Sequence, residues 1–323
     1  TARTKEAIYR LAKLIGYLPK PPSSATCDIY VRINNDDPTR VNSIVIPKYT
    51  KLSSDSGKSF YVSEDIIIAG GENSAYGTAT AGMVIKDTFV SNGIVNYPYI
   101  TTYTNVTNVE SVVVDGNVWT KEDFLDILGA EQVYRVDFDN DFRAKIIFGD
   151  GKYGLNPMSD SKIEVTYNVS DGLTTNSDIY TINTVSGAVY DSENNLISIS
   201  VTNTTAASGG DSAEDPDEVR RNAPSVFRTQ WRAVTKQDFK DLVLAESGVG
   251  KVAIMDHTDM SNIGIYGVKI AAIAEDGGYV NNGLKNKINT MLNTRRLLTT
   301  DVQLIQPDIV PIDVSLTITK DSN

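Results

Sequence analysis

The sequence predicts an α+β fold, in which an N-terminal helix and an antiparallel β-rich domain are followed by a small split-βαβ domain with the order α-β-β-α-β. Three observations support this class. The chain begins with an apolar stripe at helical spacing, continues with short runs rich in Val, Ile and Tyr, and ends with alternating helix and strand patterns.

The composition argues against several classes of function. The chain has 30 basic and 41 acidic residues and a net charge of -11, so it lacks the clustered positive charge with which proteins bind duplex nucleic acid. Its single cysteine, Cys27, excludes an intrachain disulfide and every metal site built from several cysteines. No apolar run approaches the about 20 residues that a membrane-spanning helix needs. We therefore predict neither a nucleic acid nor a membrane as a direct partner.

The first element is an amphipathic helix, because Ile8, Leu11, Ile15 and Leu18 recur at steps of three, four and three residues. Prolines follow the helix and end it, so residues 1–22 are predicted to form a helical arm and a proline spacer. The apolar stripe has two interpretations. It packs against its own chain, or it is an interface offered to another subunit, since a short terminal helix has few neighbours in its own chain. We take the four side chains as candidate interface residues.

Residues 23–201 are predicted to form the β-rich domain. Runs such as CDIYVRI, SIVIP, KSFYVSEDIII and TATAGMVI are separated by clusters of Asn, Asp, Ser and Gly, and Ile29, Val31 and Ile33 alternate toward one face of a strand. The Tyr, Thr and Asn content also suits a β-rich carbohydrate-binding or host-adhesion protein, which is the alternative function. Residues 202–210, rich in Thr, Ala, Ser and Gly, are predicted to be a flexible connector.

Local sequence predicts where three helices begin. In each case a residue that can cap exposed amides is followed three residues later by an acid that can return the hydrogen bond. The capping pairs are Thr120 with Asp123, Asp215 with Glu218, and Thr235 with Asp238. Each cap contributes about 1 kcal/mol, so these residues are predicted to have structural roles.

Residues 211–306 are predicted to form the small α+β domain. Its first helix should be interrupted by Pro224, and the order after that is helix, strand, strand, helix and strand. The corresponding segments are 236–246, 250–256, 267–274, 282–297 and 301–306. This order favours a split-βαβ arrangement, with the helices on one face of an antiparallel sheet. Residues 307–323 are predicted to begin a further, truncated domain.

Three segments resemble functional motifs but lack a required part. The glycine run 149–154 matches GxGxxG after a strand, yet no helix follows it to hold a pyrophosphate. Asp137, Asp139 and Asp141 have the spacing of a calcium loop, but phenylalanine occupies the positions of the obligatory glycine and the bidentate acid. This leaves a weak cation site there as the minor alternative to a solvated turn. His257, the only histidine, lies in a polar turn without the signature of a catalytic partner. We predict no catalytic, cofactor-binding or metal-binding residues, and no enzyme activity.

Two longer stretches carry a family resemblance. Residues 209–244 read GGDSAEDPDEVRRNAPSVFRTQWRAVTKQDFKDLVL, and residues 148–167 read FGDGKYGLNPMSDSKIEVTY. Two separated motifs in this order resemble the baseplate J-like family, whose members are wedge components of contractile phage tails and related injection machines. The resemblance covers most of the chain from about Lys5 onward. Trp231 departs from the pattern, which has a small or polar residue there.

The resemblance implies a structural baseplate wedge component of the virion tail, assembled in the cytoplasm of the host bacterium. Its implied partners are other copies of itself and other wedge proteins, with a sheath initiator as a further candidate. As the family resemblance implies, the copies link neighbouring wedges into a ring around the tail hub. That ring holds the sheath extended until host contact triggers contraction.

Overall fold

The computed structural model of the protein describes residues 4–34, 42–122, 125, 129, 131–190, 195–229, 232–275 and 277–308. Within this part of the chain the helices are α1 (Lys5–Leu14), α2 (Pro216–Thr229), α3 (Lys236–Leu244) and α4 (Asn282–Arg295). The first ten strands are β1 (Thr26–Ile33), β2 (Ile44–Ile46), β3 (Lys51–Ser54), β4 (Ser59–Val62), β5 (Ile66–Ile68), β6 (Ser74–Ala81), β7 (Met83–Val90), β8 (Tyr99–Ile100), β9 (Val106–Val114) and β10 (Asn117–Lys121). The next ten are β11 (Val133–Phe138), β12 (Ala144–Phe148), β13 (Lys162–Val169), β14 (Ile182–Ser186), β15 (Val189–Tyr190), β16 (Leu196–Ile197), β17 (Ile199–Asn203), β18 (Val249–Met255), β19 (Gly267–Ala274) and β20 (Asp301–Ile305).

The first sheet has the strand order β14-β3-β4-β6-β1-β17. It curls until its two edges meet, because the amide of Tyr180, just before β14, donates to the carbonyl of Asn203 in β17 at 3.1 Å. The Asn203 side chain also accepts from the amide of Ile182 at 2.9 Å. The pairs β2–β5 and β15–β16 add Ile44 and Val189 to the same buried core. The result is a nearly closed, barrel-like sheet.

The second sheet has the order β7-β13-β9-β10-β11-β12-β8 and is also nearly closed. Its edges are joined through Asp87 of β7, whose carboxylate accepts from the amide of Thr102, just after β8, at 2.7 Å. The same oxygen accepts from the hydroxyl of Tyr167 at 2.9 Å. Aromatic side chains fill the interior, and Trp119 contacts Phe148 edge to face at 5.0 Å.

The predicted α+β class is wrong, because the chain is mostly β. A split-βαβ unit would separate its two parallel strands by a third strand. Here β18, β19 and β20 form a three-stranded sheet in that order, and β19 pairs directly with its parallel partner β20. The predicted split-βαβ unit is therefore wrong as well, because strand adjacency depends on pairing that no local pattern specifies. α3 and α4 pack on this sheet through Phe239, Leu284 and Ile288.

Helix α4 also joins the small sheet to the first sheet. Its N-cap, Asn281, accepts a hydrogen bond from the amide of Leu284 at 2.8 Å and donates to the carbonyl of Thr26 at 2.7 Å. Gly283 lies so close to Thr26 that an added Cβ would come within 2.6 Å of its side chain. The start of this helix is therefore fixed against β1.

The segment predicted as a connector, 202–210, is hydrogen-bonded through its backbone to strand β1. The amides of Thr204 and Ser208 donate to the carbonyls of Asp28 and Thr26 at 2.8 and 3.0 Å. The domain boundaries themselves stay a prediction, and residues 309–323 of the predicted further domain lie outside the described residues. Among the described helices, none is long and apolar enough to cross a membrane.

Pro224 does not end α2, which continues to Thr229. A proline in a helix interior removes one backbone hydrogen bond and introduces a steric clash. Its cost of about 3 kcal/mol can be offset by packing of the whole helix. The predicted interruption near Ala223 is therefore wrong.

Candidate interaction surface around the N-terminal helix

Helix α1 is closed at its C-terminal end by a glycine-dependent turn. The amide of Tyr17 donates to the carbonyl of Ala12 at 2.9 Å, and the amide of Gly16 donates to the carbonyl of Lys13 at 3.0 Å. Gly16 has a φ of 78°, a left-handed conformation that glycine adopts without a steric penalty. This Schellman turn directs Tyr17 back beneath the helix, where it is buried.

The predicted apolar stripe does not form one buried helix face, because α1 ends at Leu14, with Ile15 as its C-cap and Leu18 beyond the turn. Ile8 is buried, together with Tyr9 and Ala12, against the rest of the chain. The other three predicted interface residues, Leu11, Ile15 and Leu18, are exposed, and Leu14 beside them is 81% exposed. The helix thus packs on its own chain through one face and presents a second apolar face to solvent.

The buried face of α1 lies at a junction between α2 and the second sheet. Ile8 and Tyr9 pack with Val219 of α2 and with Phe142, which lies in the turn between β11 and β12. The Tyr9 and Phe142 rings meet edge to face at 6.2 Å. This arrangement fixes the arm on two elements that are remote in sequence.

Glu214 anchors the arm at this junction. Its carboxylate is buried and accepts hydrogen bonds from the Tyr17 hydroxyl at 2.6 Å and from the Lys20 amide at 3.1 Å. Its backbone carbonyl accepts from the Tyr9 hydroxyl at 2.5 Å, and its amide donates to the Lys20 carbonyl. Burial, and then the negative charge of Glu214, raise the pKa of Tyr9 above its ordinary value. Sequence reasoning assigned no role to Glu214, because its partners lie about 200 positions away.

Two of the three aspartates with calcium-loop spacing have carboxylates that bind other groups of the protein. Asp137 forms an ion pair with Lys13 of α1 at 2.7 Å. Asp139 accepts from the amides of Asp141 and Arg143 at 2.9 Å each and from the Arg143 guanidinium at 2.8 Å. Burial acts to raise the pKa of Asp139, but these hydrogen bonds outweigh it and the net pKa is lowered. Across the described residues, no group of three or more His, Cys, Asp or Glu side chains is placed to hold a metal ion.

The capping pairs are placed as follows. At α2, the amide of Glu218 donates to the Asp215 carboxylate at 2.8 Å and the amide of Asp215 donates to the Glu218 carboxylate at 3.0 Å. Thr235 and Asp238 exchange the corresponding hydrogen bonds at α3. Thr120 lies instead within strand β10, where its amide donates to the Gln132 carbonyl, and Asp123 lies outside the described residues.

Removing both well-formed caps is expected to lower the free energy of unfolding. Asp215→Ala combined with Thr235→Ala deletes one side-chain acceptor at each helix start, each worth about 1 kcal/mol. Because the two sites are far apart in sequence and share no hydrogen-bond partner, we expect a sum of about 1–3 kcal/mol, measured by urea unfolding. Glu64→Ala, at an exposed position in the turn before β5, is the control. An unchanged midpoint in the double variant would show that these hydrogen bonds contribute nothing.

The glycine run and the histidine lie in ordinary turns. The Asp150 carboxylate accepts from the amides of Lys152 and Tyr153 at 2.9 and 2.8 Å. An added Cβ at Gly149 would lie 2.2 Å from the carbonyl oxygens of Tyr153 and Gly154, so the turn closes too tightly for any other residue at that position. His257 is exposed in the turn after β18.

Comparison with known proteins gives little sequence support for the resemblance. No family model matches the chain, and no curated protein sequence matches it. A structural comparison finds a chain in the cryo-EM structure of the anti-feeding prophage (AFP) baseplate, 6-fold symmetrised, with a TM-score of 0.31 and 12% identity. The match covers 93% of this chain and 60% of the other, so this chain spans about three fifths of that neighbour's length. It is a weak structural similarity to a baseplate component.

Proposed function

We propose that this chain is a structural component of the baseplate of a contractile phage tail or a related injection machine. The observation that carries the proposal is the pair of motifs at 148–167 and 209–244, which occur in the family's order. In the structure the second motif supplies Glu214, the acid that holds the N-terminal arm, and both capping boxes. A motif whose side chains connect separate parts of the fold fits a protein that works by holding parts in position.

The finer proposal is a wedge protein that links neighbouring wedges into a ring and takes part in the switch that triggers contraction. Such a part needs rigid blocks whose contacts have alternative packings. We propose the arm as such a block, because α1 is joined to the rest of the chain by a proline spacer and packs on α2 and the second sheet through one compact cluster. We propose a role without catalysis, in which the protein contacts other copies of itself, other wedge proteins and a sheath initiator. Its place is the tail baseplate, after assembly in the bacterial cytoplasm.

The exposed face of α1 is the surface we propose for contact with a neighbouring wedge protein. Leu11 and Leu14 of α1, Ile15 at its C-cap and Leu18 just beyond the Schellman turn are apolar side chains that this chain leaves exposed. Helices with such a face bind in apolar grooves or helix bundles of partner proteins. The buried face of α1 is packed against α2 and the second sheet. A partner bound to the exposed side chains would therefore be held in a defined position relative to the rest of this chain.

Electron microscopy of contractile particles from cells that produce this chain tests the proposal. Antibody against the chain is expected to label the baseplate end of the tail. Leu14→Glu with Leu18→Glu is expected to abolish intact particles while leaving the Tm of the purified chain unchanged, because both side chains are exposed. Ile67→Glu, an equally exposed position on β5, is the control that should still assemble. Label absent from particles, with glycan binding by the purified chain, would replace the proposal with the adhesion alternative.

A further inference from the structure

Strand β7 has an outer edge that its own sheet leaves largely without a partner strand. β7 lies at one end of the second sheet and spans Met83–Val90, whereas β8, at the other end, spans only Tyr99–Ile100. The two ends are bridged by the Asp87 side chain, which accepts from the Thr102 amide. Most of the length of β7 therefore faces no other strand of the sheet on this side, which we name the β7 edge.

The hydrogen-bond register shows which backbone groups lie along the β7 edge. The Ser91 amide donates to the Ser161 carbonyl at 2.8 Å, and the pairing continues with Phe89 opposite Ile163. Backbone groups alternate between the two sides of an antiparallel strand, so every second amide of β7 points away from β13. These amides are those of Val84, Lys86, Thr88 and Val90. No described residue accepts a hydrogen bond from them.

The side chains that accompany these outward amides lie on the outside of the sheet. Ile85 and Phe89 pack against the core of the second sheet, so the residues that alternate with them face away from it. Val90 is 64% exposed, and residues 88–109 contain no Asp, Glu, Lys or Arg. Edge strands are commonly protected from pairing by charges, prolines or bulges. Lys86 is the one charged side chain on the outer face of β7.

Lys86 favours one kind of incoming strand over another. Lys86 and Lys162 both bind the Glu164 carboxylate, at 2.9 and 2.8 Å, so two cations share one acid. This group is positively charged, although the chain as a whole has a net charge of -11. A second copy of β7 would bring another lysine to it, and like charges across neighbouring strands are destabilising. A strand of a different protein, with an acidic residue at this place, is stabilised instead.

We propose that the β7 edge accepts an extended segment of a partner protein as an added antiparallel strand. The segment has an acidic residue opposite Lys86 and apolar residues opposite Val84 and Val90. Main-chain hydrogen bonds to the outward amides and carbonyls supply the affinity, and the side chains supply the specificity. The proposal rests on the β7 edge alone, and it holds whether or not the chain is a baseplate component.

Amide hydrogen exchange of the 323-residue chain, resolved by residue, tests whether the β7 edge is open. The amides of Lys86 and Thr88 are expected to exchange at least about 100-fold faster than those of Asp87 and Phe89, because the latter two face β13. Equal protection of the two pairs would mean that the chain closes this edge with its own residues, and the proposal would be overturned.

Titration with a synthetic strand tests the chemistry of the partner. The probe is Thr-Val-Ser-Thr-Ser-Glu-Ser-Val-Thr, blocked at both ends, in which Glu lies opposite Lys86 and the Val residues lie opposite Val84 and Val90. We expect a Kd below about 1 mM and slower exchange of the Lys86 and Thr88 amides in the complex. A probe with Lys in place of Glu should bind at least about threefold more weakly. No binding of the acidic probe at about 1 mM, or equal binding of both probes, contradicts the proposal.

A proline substitution locates the binding on the β7 edge. Thr88→Pro removes an outward amide and leaves the hydrogen bonds with β13 in place, so we expect a nearly unchanged Tm. Affinity for the acidic probe should fall at least about fivefold, the equivalent of one main-chain hydrogen bond. Thr88→Val keeps the amide and is the matched control, which should bind like the wild type. Equal affinity of the two variants would place the probe elsewhere on the molecule.

A charge reversal gives an answer even if the proline variant fails to fold. Lys86→Glu is expected to reverse the preference, so that the basic probe binds more tightly than the acidic one. Lys51→Glu makes the same change at an exposed strand position in the first sheet, and this control should keep the wild-type preference. A preference that is unchanged in Lys86→Glu would show that no acidic residue of the added strand lies opposite Lys86.

Discussion

Glu214→Ala is expected to lower the free energy of unfolding by about 3–5 kcal/mol and to release the N-terminal arm. The substitution leaves the Tyr17 hydroxyl and the Lys20 amide without their carboxylate acceptor. Loss of the buried hydrogen bond from Tyr17 costs about 1–3 kcal/mol, loss of the half-buried one from the Lys20 amide costs less, and a cavity remains where the side chain packed. Urea unfolding measures the loss of stability. Limited trypsin digestion measures release of the arm, with faster cleavage expected after Arg10.

Two further substitutions separate the role of the Glu214 carboxylate from general effects. Glu214→Gln keeps the shape and one acceptor oxygen, so we expect a smaller loss of about 1–2 kcal/mol. Asp217→Ala removes a neighbouring acid whose ion pair with Arg220 is exposed, so it should change stability by less than about 0.5 kcal/mol. If Glu214→Ala and Asp217→Ala behaved alike, the anchoring role would be refuted.

The capping boxes could be predicted because both partners of each hydrogen bond lie within three residues. Thr235 with Asp238 forms such a pair at the start of α3. Thr120 has the same threonine and aspartate spacing, yet it lies in β10. The preceding Trp119 is buried against Phe148 in the second sheet, so packing of a strand decides the structure there. A local pattern therefore marks a possible helix start, and tertiary contacts decide whether it is used.

Closure of the two large sheets could not be predicted from the same patterns. Alternation in β1 shows which side chains face inward, and Ile29 and Val31 are indeed buried. One of the two pairing partners of that strand is β17, in which Val201 lies opposite Val31. Nothing in the short, similar β runs specifies a partner about 170 positions away. The anchoring role of Glu214 escaped prediction for the same reason, since its contact with Tyr17 spans 197 positions.

Lys287 occupies a position where a charge is costly. Its ammonium group donates to the Ser24 carbonyl at 2.7 Å, between α4 and the segment that leads into β1. Burial lowers the pKa of Lys287 from 10.5 to about 8, and the negative charge of Glu246 opposes the change. At pH 7 the ammonium is still protonated, so the folded protein bears the cost of a charge with little water around it.

Lys287→Met is expected to raise the free energy of unfolding at pH 7 by about 2 kcal/mol. The lowered pKa corresponds to about 3 kcal/mol, and the variant gives up the hydrogen bond to the Ser24 carbonyl, worth about 1 kcal/mol. Urea unfolding of both proteins at pH 7 measures the difference. Lys240→Met, on the exposed side of α3, is the control and should change stability by less than about 0.5 kcal/mol.

The pH dependence gives a second, independent readout of the same lysine. Between its folded pKa of about 8 and its ordinary value of 10.5, the unfolded chain binds the proton and the folded chain does not. The free energy of unfolding of the wild type therefore rises with pH across this window. In Lys287→Met that contribution is absent, so the gap between variant and wild type should narrow from pH 7 to pH 9.5. Tyrosines titrate in both proteins and cancel in the comparison. A gap that stays constant with pH would mean that Lys287 keeps an ordinary pKa and that its position is well solvated.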